Sequence, residues 1–279
     1  MELRTRPKEI AKKSLRLQEI LREMKGVLVA FSGGVDSTLL LKIARDVLGD
    51  NVLAVTAHSY TTAYHERTDA VRLAKFIGAR HLTVASREFD LPGFVENSPD
   101  RCYVCKKSRF GDLMKLSEQM GFSFVADGEN TDDSGDYRPG MRATRELGIR
   151  SPLREAGLCK SEIRFLSKKL GLPTWDKLPY ACLASRIPYG TPITAEKLHQ
   201  VDKGEERIRG LIPGVQLRVR HYGDTARIEI EPKALPKFLH IGLRNHVVDF
   251  LHQLGFTFVT VDLEGYTMGS LNRSINTGE

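Results

Sequence analysis

Residues 27–37 read Val27-Leu28-Val29-Ala30-Phe31-Ser32-Gly33-Gly34-Val35-Asp36-Ser37. After Gly26, the five apolar residues Val27 to Phe31 have the pattern of a strand buried on both faces of a parallel sheet. Ser32-Gly33-Gly34 predicts a turn, and from Ser37 to Leu48 apolar residues return at helical spacing. In such a strand–turn–helix, glycines let the backbone fold tightly, so that successive N–H groups point at one anion. The helix dipole adds positive potential at the same place. The Ser32 and Ser37 hydroxyls can donate to phosphate oxygens. Asp36 is unfavourable beside bare phosphates, which predicts that it works through a bound Mg²⁺. No Gly-Lys-Ser/Thr follows, so this is not a Walker A loop. The plain alternative is a glycine turn that binds nothing.

Outward from this stretch the alternation continues. Residues 14–24 carry helical periodicity, 52–57 read as a strand, 64–77 as a helix and 81–85 as a strand. A helix over 103–120 and a strand over 122–126 follow. Strands alternating with helices predict βαβ units, hence an α/β fold with a doubly wound parallel sheet. The long segment 86–101, with Pro92, Gly93 and Pro99, is expected near the site. Residues 171–193 are rich in proline and glycine and hold the only tryptophan, Trp175. They predict a connection, with a first domain over 1–175 and a smaller α+β domain over 176–279. In the latter, Thr194 reads as a helix N-cap. Residues 216–220 and 226–230 alternate as half-buried strands around a turn-rich 221–224. A helix near 243–254 and a strand at 256–262 complete it. No internal repeat is present.

The bulk composition sets limits. The 279 residues are 41% hydrophobic and 28% charged, an ordinary soluble globule with no apolar run long enough to span a membrane. The opening Met1-Glu2-Leu3-Arg4 leads into mixed charge, unlike a signal peptide, so a cytoplasmic setting is expected. The net charge of +7 attracts anions without choosing between nucleotides and nucleic acid. Four cysteines, Cys102, Cys105, Cys159 and Cys182, are read as metal or redox chemistry before disulfides. Cys102 and Cys105 form a C-x-x-C before a helix, and Cys182 follows about eighty residues later. Three thiolates suit an iron–sulfur cluster with one open iron better than a closed zinc site, which wants four ligands. A redox dithiol, a zinc site completed by Cys159 or a histidine, and plain buried cysteines stay open. Cys159 itself reads as a buried or helix-capping residue.

The hexapeptide 32–37 resembles the SGGxDS pyrophosphate loop of the PP-loop ATPases, or N-type ATP pyrophosphatases. That resemblance implies cleavage of ATP between its α and β phosphates and attachment of AMP to a substrate. Residues 127–133, Asp-Gly-Glu-Asn-Thr-Asp-Asp, follow another apolar strand and resemble the family's D-G-T-N-x-D-D segment beside the nucleotide, with Glu129 in place of Thr. Gly128, Asn130 and Asp132 are then expected at ATP. Taken alone, such an acidic turn is equally well a solvated loop. Ala57-His58-Ser59, past the second strand, is expected to reach adenine through its backbone.

Three further stretches, Arg150-Ser151-Pro152-Leu153, 170–177 and Ala181-Cys182-Leu183-Ala184-Ser185-Arg186-Ile187-Pro188-Tyr189-Gly190, resemble LarE-type proteins over nearly the whole chain. The resemblance implies an ATP-dependent sulfur transferase. It would adenylate pyridinium-3,5-biscarboxylic acid mononucleotide and turn its carboxylates into thiocarboxylates during nickel-pincer nucleotide synthesis. One LarE form gives up the sulfur of a single cysteine at the Cys182 position. The other holds a [4Fe–4S] cluster on three cysteines and delivers an extra sulfide. Cys102 and Cys105 beside Cys182 match the second form. ATP, Mg²⁺ and the cluster are therefore the expected cofactors, with inorganic sulfide or a sulfur donor as partner and a homo-oligomer as the assembly. Ser185 and Arg186 would orient the acyl-adenylate.

Arg218 and Arg220, two apart on a predicted strand, share one face and make either a phosphate clamp or a solvated basic face. The resemblance favours a clamp for the substrate phosphate, with Glu206 near it and Glu229 or Glu231 completing it. Three rival activities share parts of this pattern. A tRNA-thiolating PP-loop enzyme shares the ATP loop and cluster logic, but lacks here its usual RNA-binding additions. An amidotransferase-type ligase would not need three cysteines. A nucleotide-sensing module would bind without turnover. Nucleic acid and membrane are not expected partners.

Overall fold

The computed structural model describes residues 7–135, 139–267 and 269–274. Along the chain run α1 (Pro7–Met24), β1 (Val27–Ala30), α2 (Val35–Leu48), β2 (Val52–His58), α3 (Tyr64–Ile77), β3 (Arg80–Ala85), the short α4 (Pro92–Val95), α5 (Arg101–Gln119) and β4 (Val125–Ala126). Then come α6 (Pro139–Glu146), the short α7 (Pro152–Glu155), α8 (Lys160–Lys169), α9 (Ala195–Leu211), β5 (Leu217–Tyr222), β6 (Thr225–Ile230), the short α10 (Leu235–Phe238), α11 (Ile241–Gln253) and β7 (Phe258–Val261). Among the described residues no helix is long and apolar enough to cross a membrane.

The chain forms two compact units. Among the described residues, one comprises 7–59, 64–88 and 102–179, the other 60–63, 89–101 and 180–274. The division expected from composition was a single cut at 175/176. The units instead interleave, because two short strings from the N-terminal half join the second one. Polar bonding explains their membership. The Asn97 side-chain amide donates to the carbonyls of Ile187 (3.3 Å), Pro188 (2.7 Å) and Thr191 (2.8 Å). Backbone bonds link Ile193 N to Val95 O and Leu183 N to Thr61 O. Asn97 takes a positive φ of 60°, a conformation asparagine tolerates better than most residues.

In the first unit the four-stranded sheet has the order β3-β2-β1-β4, and all its pairs are parallel. The apolar run read from the sequence is its central strand. Val27 and Val29 point into a core shared with α1, α2, α3 and α8 (Leu17, Leu21, Leu40, Ala70, Ile163). Leu28 points the other way, to Leu53, Val55, and Phe110 and Leu113 of α5. Helices therefore cover both faces, as a doubly wound sheet requires. Each fully buried aliphatic side chain adds roughly 1.5–3 kcal/mol. Two predicted elements changed length. α1 starts at Pro7, a residue suited to a first helical turn, so its polar opening carries no periodic signal. β4 keeps only two residues, because Gly121 at φ 75° ends α5 and Phe122 N bonds back to Ser117 O.

In the second unit β5 and β6 form an antiparallel hairpin around Gly223-Asp224, with Gly223 at φ 68°, and β7 joins β6 in parallel. Thr194 caps α9 as its sequence position predicts, accepting from Lys197 N at 3.2 Å. Gly204 lets α9 pack closely, since a Cβ there would lie 3.0 Å from Leu251 Cδ2 of α11 and 3.5 Å from Val219 Cγ2 of β5.

Candidate active site

The turn 32–37 sits where β1 ends and α2 begins. Gly33 has φ 70°, and a Cβ on it would lie 3.2 Å from Ala70 Cα, so glycine is required there twice over. The Ser32 and Ser37 hydroxyls lie 3.1 Å apart, Gly34 N donates to Ser32 Oγ at 3.3 Å, and Ser37 Oγ donates to Gly34 O at 3.3 Å. No side chain caps the first turn of α2. The positive end of a fourteen-residue helix thus faces the turn, as an anion site needs.

The segment 127–133 closes on this turn within the same unit. Asn130 Nδ2 donates to Asp36 Oδ1 at 3.4 Å, Asn130 N to Asp133 Oδ2 at 3.0 Å, and Asp132 N to Asn130 Oδ1 at 2.9 Å. Gly128 packs directly on the loop. A Cβ there would stand 3.0 Å from Ser37 N and 3.2 Å from Asp36 Cβ, so Gly128→Ala must push the phosphate turn. Such overpacking costs about 1–3 kcal/mol. We expect it to weaken ATP binding by about tenfold or more, measured by calorimetric titration, with Gly128→Val worse.

Two lysines that sequence reading left without a role meet here. Lys160 Nζ is 2.5 Å from Asp36 Oδ2, and Lys160 N, at the start of α8, donates to Asp132 Oδ2 at 2.9 Å. Lys177 Nζ lies 3.2 Å from Gly33 O and 3.1 Å from Asp69 Oδ2. Burial raises the Asp36 carboxyl, with Asp133 adding to the rise and Lys160 opposing it. Asp36, Asn130 and the ammonium of Lys160 thus offer a carboxylate for a divalent cation and a cation for a phosphate. The residues fit Mg²⁺·ATP in charge and donor type.

Behind this layer, Asp127 Oδ1 accepts from Ser151 Oγ at 2.8 Å and from Glu129 N at 3.1 Å. Glu129, where the family pattern has Thr, binds Arg154 (2.9 Å), Thr144 Oγ1 (3.2 Å) and Lys106 (3.5 Å). Burial, then the Glu129 charge, push Asp127 from 3.8 up to about 6. Between about pH 4 and 6 the folded chain therefore holds a proton that the unfolded chain has lost, and stability falls as pH rises through that interval. The melting temperature relative to Asp127→Asn should decline from about pH 4 to 7; parallel curves would exclude this origin. At the end of β2, the His58 ring contacts Arg67 Nη1 at 2.7 Å and Ser59 donates to Glu88.

Cys102 and Cys105 lie one turn apart at the start of α5, the first exposed and the second half-buried, with Arg109 Nη2 donating to Cys105 Sγ at 3.7 Å. As soft donors within one helical turn they suit a shared thiophilic metal centre. Cys159 is the N-cap of α8 in a capping box with Glu162. Cys182, exposed, belongs to the second unit. Among the described residues, no three His, Cys, Asp or Glu side chains converge as a metal cage.

In the second unit Cys182 opens a 3-10 turn, 183–186. Arg186 is only 1% exposed. Its Nη1 donates to Ala181 O (2.7 Å), Cys182 O (3.1 Å) and Ser185 Oγ (3.0 Å). Arg186 thus holds the turn from the buried side. Arg220 reaches the same turn, with Nη1 2.6 Å from Ser185 O and Nη2 2.6 Å from Glu229 Oε2 and 2.9 Å from Ser270 Oγ.

Arg218 and Arg220 do share a face, but both are buried. Arg218 donates to Leu217 O (2.6 Å) and lies over the Tyr266 ring (4.8 Å). Burial, then the Arg186 charge, lower it to about 10. Glu206 is exposed and pairs with Lys203 at 2.8 Å, whereas its neighbour Glu205 is fully buried among the arginines. Glu229 binds both Arg220 and Arg227.

Residues 9–97 match the family model described as NAD synthase. The chain is 44% identical over 257 residues to an uncharacterized protein of Synechocystis sp., covering 92% of this chain and 96% of that one. It is 39% identical over 268 residues to the pyridinium-3,5-bisthiocarboxylic acid mononucleotide synthase of Lactiplantibacillus plantarum, covering 95% and 96%. A tRNA-specific 2-thiouridylase of Caldanaerobacter subterraneus is 26% identical over 192 residues, about half of each chain. With full-length similarity to the synthase and the phosphate turn of residues 32–37 in place, the chain belongs to the LarE family of PP-loop sulfur transferases.

Proposed function

We propose that this protein adenylates a carboxylate of pyridinium-3,5-biscarboxylic acid mononucleotide and exchanges its oxygen for sulfur. The observation that carries the reading is the uncapped phosphate turn meeting Asp36, Asn130 and Lys160, in a chain similar end to end to the synthase. The N–H groups of the turn and of α2 receive the phosphates of ATP. Asp36 would hold Mg²⁺, which would neutralise phosphate charge, and Lys160 beside it offers its ammonium to the departing pyrophosphate. The substrate carboxylate forms a bond to the α-phosphorus as the α–β bridging bond breaks, its electron pair leaving on pyrophosphate. A sulfide equivalent then forms the C–S bond at the activated carbon, and AMP departs with the C–O electron pair. The buried arginines Arg218 and Arg220 of the second unit supply the attraction for the substrate phosphate.

A [4Fe–4S] cluster on Cys102, Cys105 and Cys182 is the proposed sulfur source, since three thiolates leave one iron open to carry it. The test is an anaerobic reaction with ATP and this dicarboxylate, read by mass for oxygen-to-sulfur exchange; adenylation without exchange would refute it. The 2-thiouridylase similarity and the charge of +7 favour tRNA as the second reading. Tight tRNA binding that weakens steeply with salt would establish that reading in its place.

A further inference from the structure

Glu205 lies at the centre of the second unit, fully buried on α9, with no role in the chemistry above. Its Oε1 accepts from Arg186 Nε at 2.7 Å and from Val219 N of β5 at 3.1 Å. Its Oε2 accepts from Arg186 Nη2 at 2.9 Å and from Arg209 Nη2. Burial alone would push this carboxyl up; the charge and hydrogen bonds of Arg186, then Arg209 and Arg218, hold it at about 2. It is ionised at every working pH.

What matters is where the two arginines go next. Arg186 spends its remaining nitrogen on the carbonyls of Ala181 and Cys182 and on Ser185 Oγ. Arg209 lies over the Tyr180 ring at 4.8 Å. The three residues from Tyr180 to Cys182 are thus gripped by two guanidinia that answer to one carboxylate, and that carboxylate is itself fixed to the backbone of β5. A planar fork bidentate to a buried acid has almost no orientational freedom. An exposed thiol on a 3-10 turn would otherwise be free to wander.

We propose that Glu205 is a positioning residue which, through Arg186 and Arg209, fixes where the Cys182 thiol stands. This rests on the reading that Cys182 handles the transferred sulfur. A reaction that depends on near-attack geometry loses roughly 10²-fold for a displacement of about 1 Å. A purely structural ion pair would instead show in melting temperature and leave turnover alone.

The test uses the full chain with Glu205→Gln, Glu205→Asp and Arg186→Lys. In Glu205→Gln, hydrogen exchange of the amides of Leu183 and Ser185 should quicken by about tenfold or more, while those of residues 32–37 keep their rates. The kcat for oxygen-to-sulfur exchange should fall about 10²-fold with KM for ATP within about twofold, and Glu205→Asp should recover part of it. Wild-type kcat in folded Glu205→Gln overturns the proposal. Should that variant not fold, Arg186→Lys decides. It keeps a cation beside Glu205 but cannot span the acid and the two carbonyls together, so it should lose kcat with little change in melting temperature. Unchanged kcat there also overturns the proposal. If Cys182→Ala still exchanges oxygen for sulfur, the sulfur-handling reading fails, and the exchange rates at 183 and 185 still judge the mooring by Glu205.

Discussion

Asp36→Ala should all but abolish release of labelled pyrophosphate from ATP, a loss of about 10³-fold or more, while the protein stays folded. Removing a single electrostatic group at a charge-transferring centre commonly costs about 10²–10³-fold. In the proposed reaction the carboxylate would have two tasks, anchoring the divalent cation and holding Lys160, whose Nζ lies 2.5 Å from Asp36 Oδ2, beside the turn. Stability should hardly suffer, because burial already raises this carboxyl and its charged form gains nothing from folding. A melting temperature within a few degrees of wild type, alongside lost turnover, separates catalysis from folding. Pyrophosphate release at close to the wild-type rate would remove the ATP assignment altogether.

Cys182→Ala should eliminate oxygen-to-sulfur exchange and leave adenylation within about threefold. In the proposed reaction the two half-reactions would draw on different residues, those around the turn 32–37 for the acyl-adenylate and Cys182 for the sulfur step alone. Companion variants distinguish the source of sulfur. With a cluster on three thiolates, anaerobically purified protein carries about four irons per chain, and Cys102→Ala or Cys105→Ala loses both iron and exchange. If Cys182 surrenders its own sulfur, Cys102→Ala retains a full single turnover. Exchange persisting in Cys182→Ala would exclude both routes.

The phosphate turn and the parallel sheet were legible because their signals are local. A five-residue apolar run and two adjacent glycines need no tertiary information, and the segment 127–133 follows its strand directly. Lys160 and Lys177 were not legible. The chain holds 42 lysines and arginines, and only folding brings these two to Asp36 and Gly33. Glu205 could have been found. Leu198, Val201, Gly204, Glu205 and Ile208 form a buried stripe at helical spacing, and an acid within such a stripe demands partners inside. Glu206, the next residue, lies on the solvent side of α9 and pairs with Lys203. The common face of Arg218 and Arg220 followed from the period of a strand, but their burial did not. Glu229 on β6 pairs with Arg220, and the charge of Glu205 on α9 acts on Arg218, neither of which a strand's period shows.

The interleaved path of the chain bears on how the protein can be made and how its lineage can change. During synthesis, the strings 60–63 and 89–101 emerge long before residues 180–274, with which they belong, so the second unit cannot mature until those residues have also been made. A clone beginning at residue 176 would lack Asn97 and strand the carbonyls of Ile187, Pro188 and Thr191. Neither unit is a contiguous cassette that gene fusion could move alone, so the two must be inherited together.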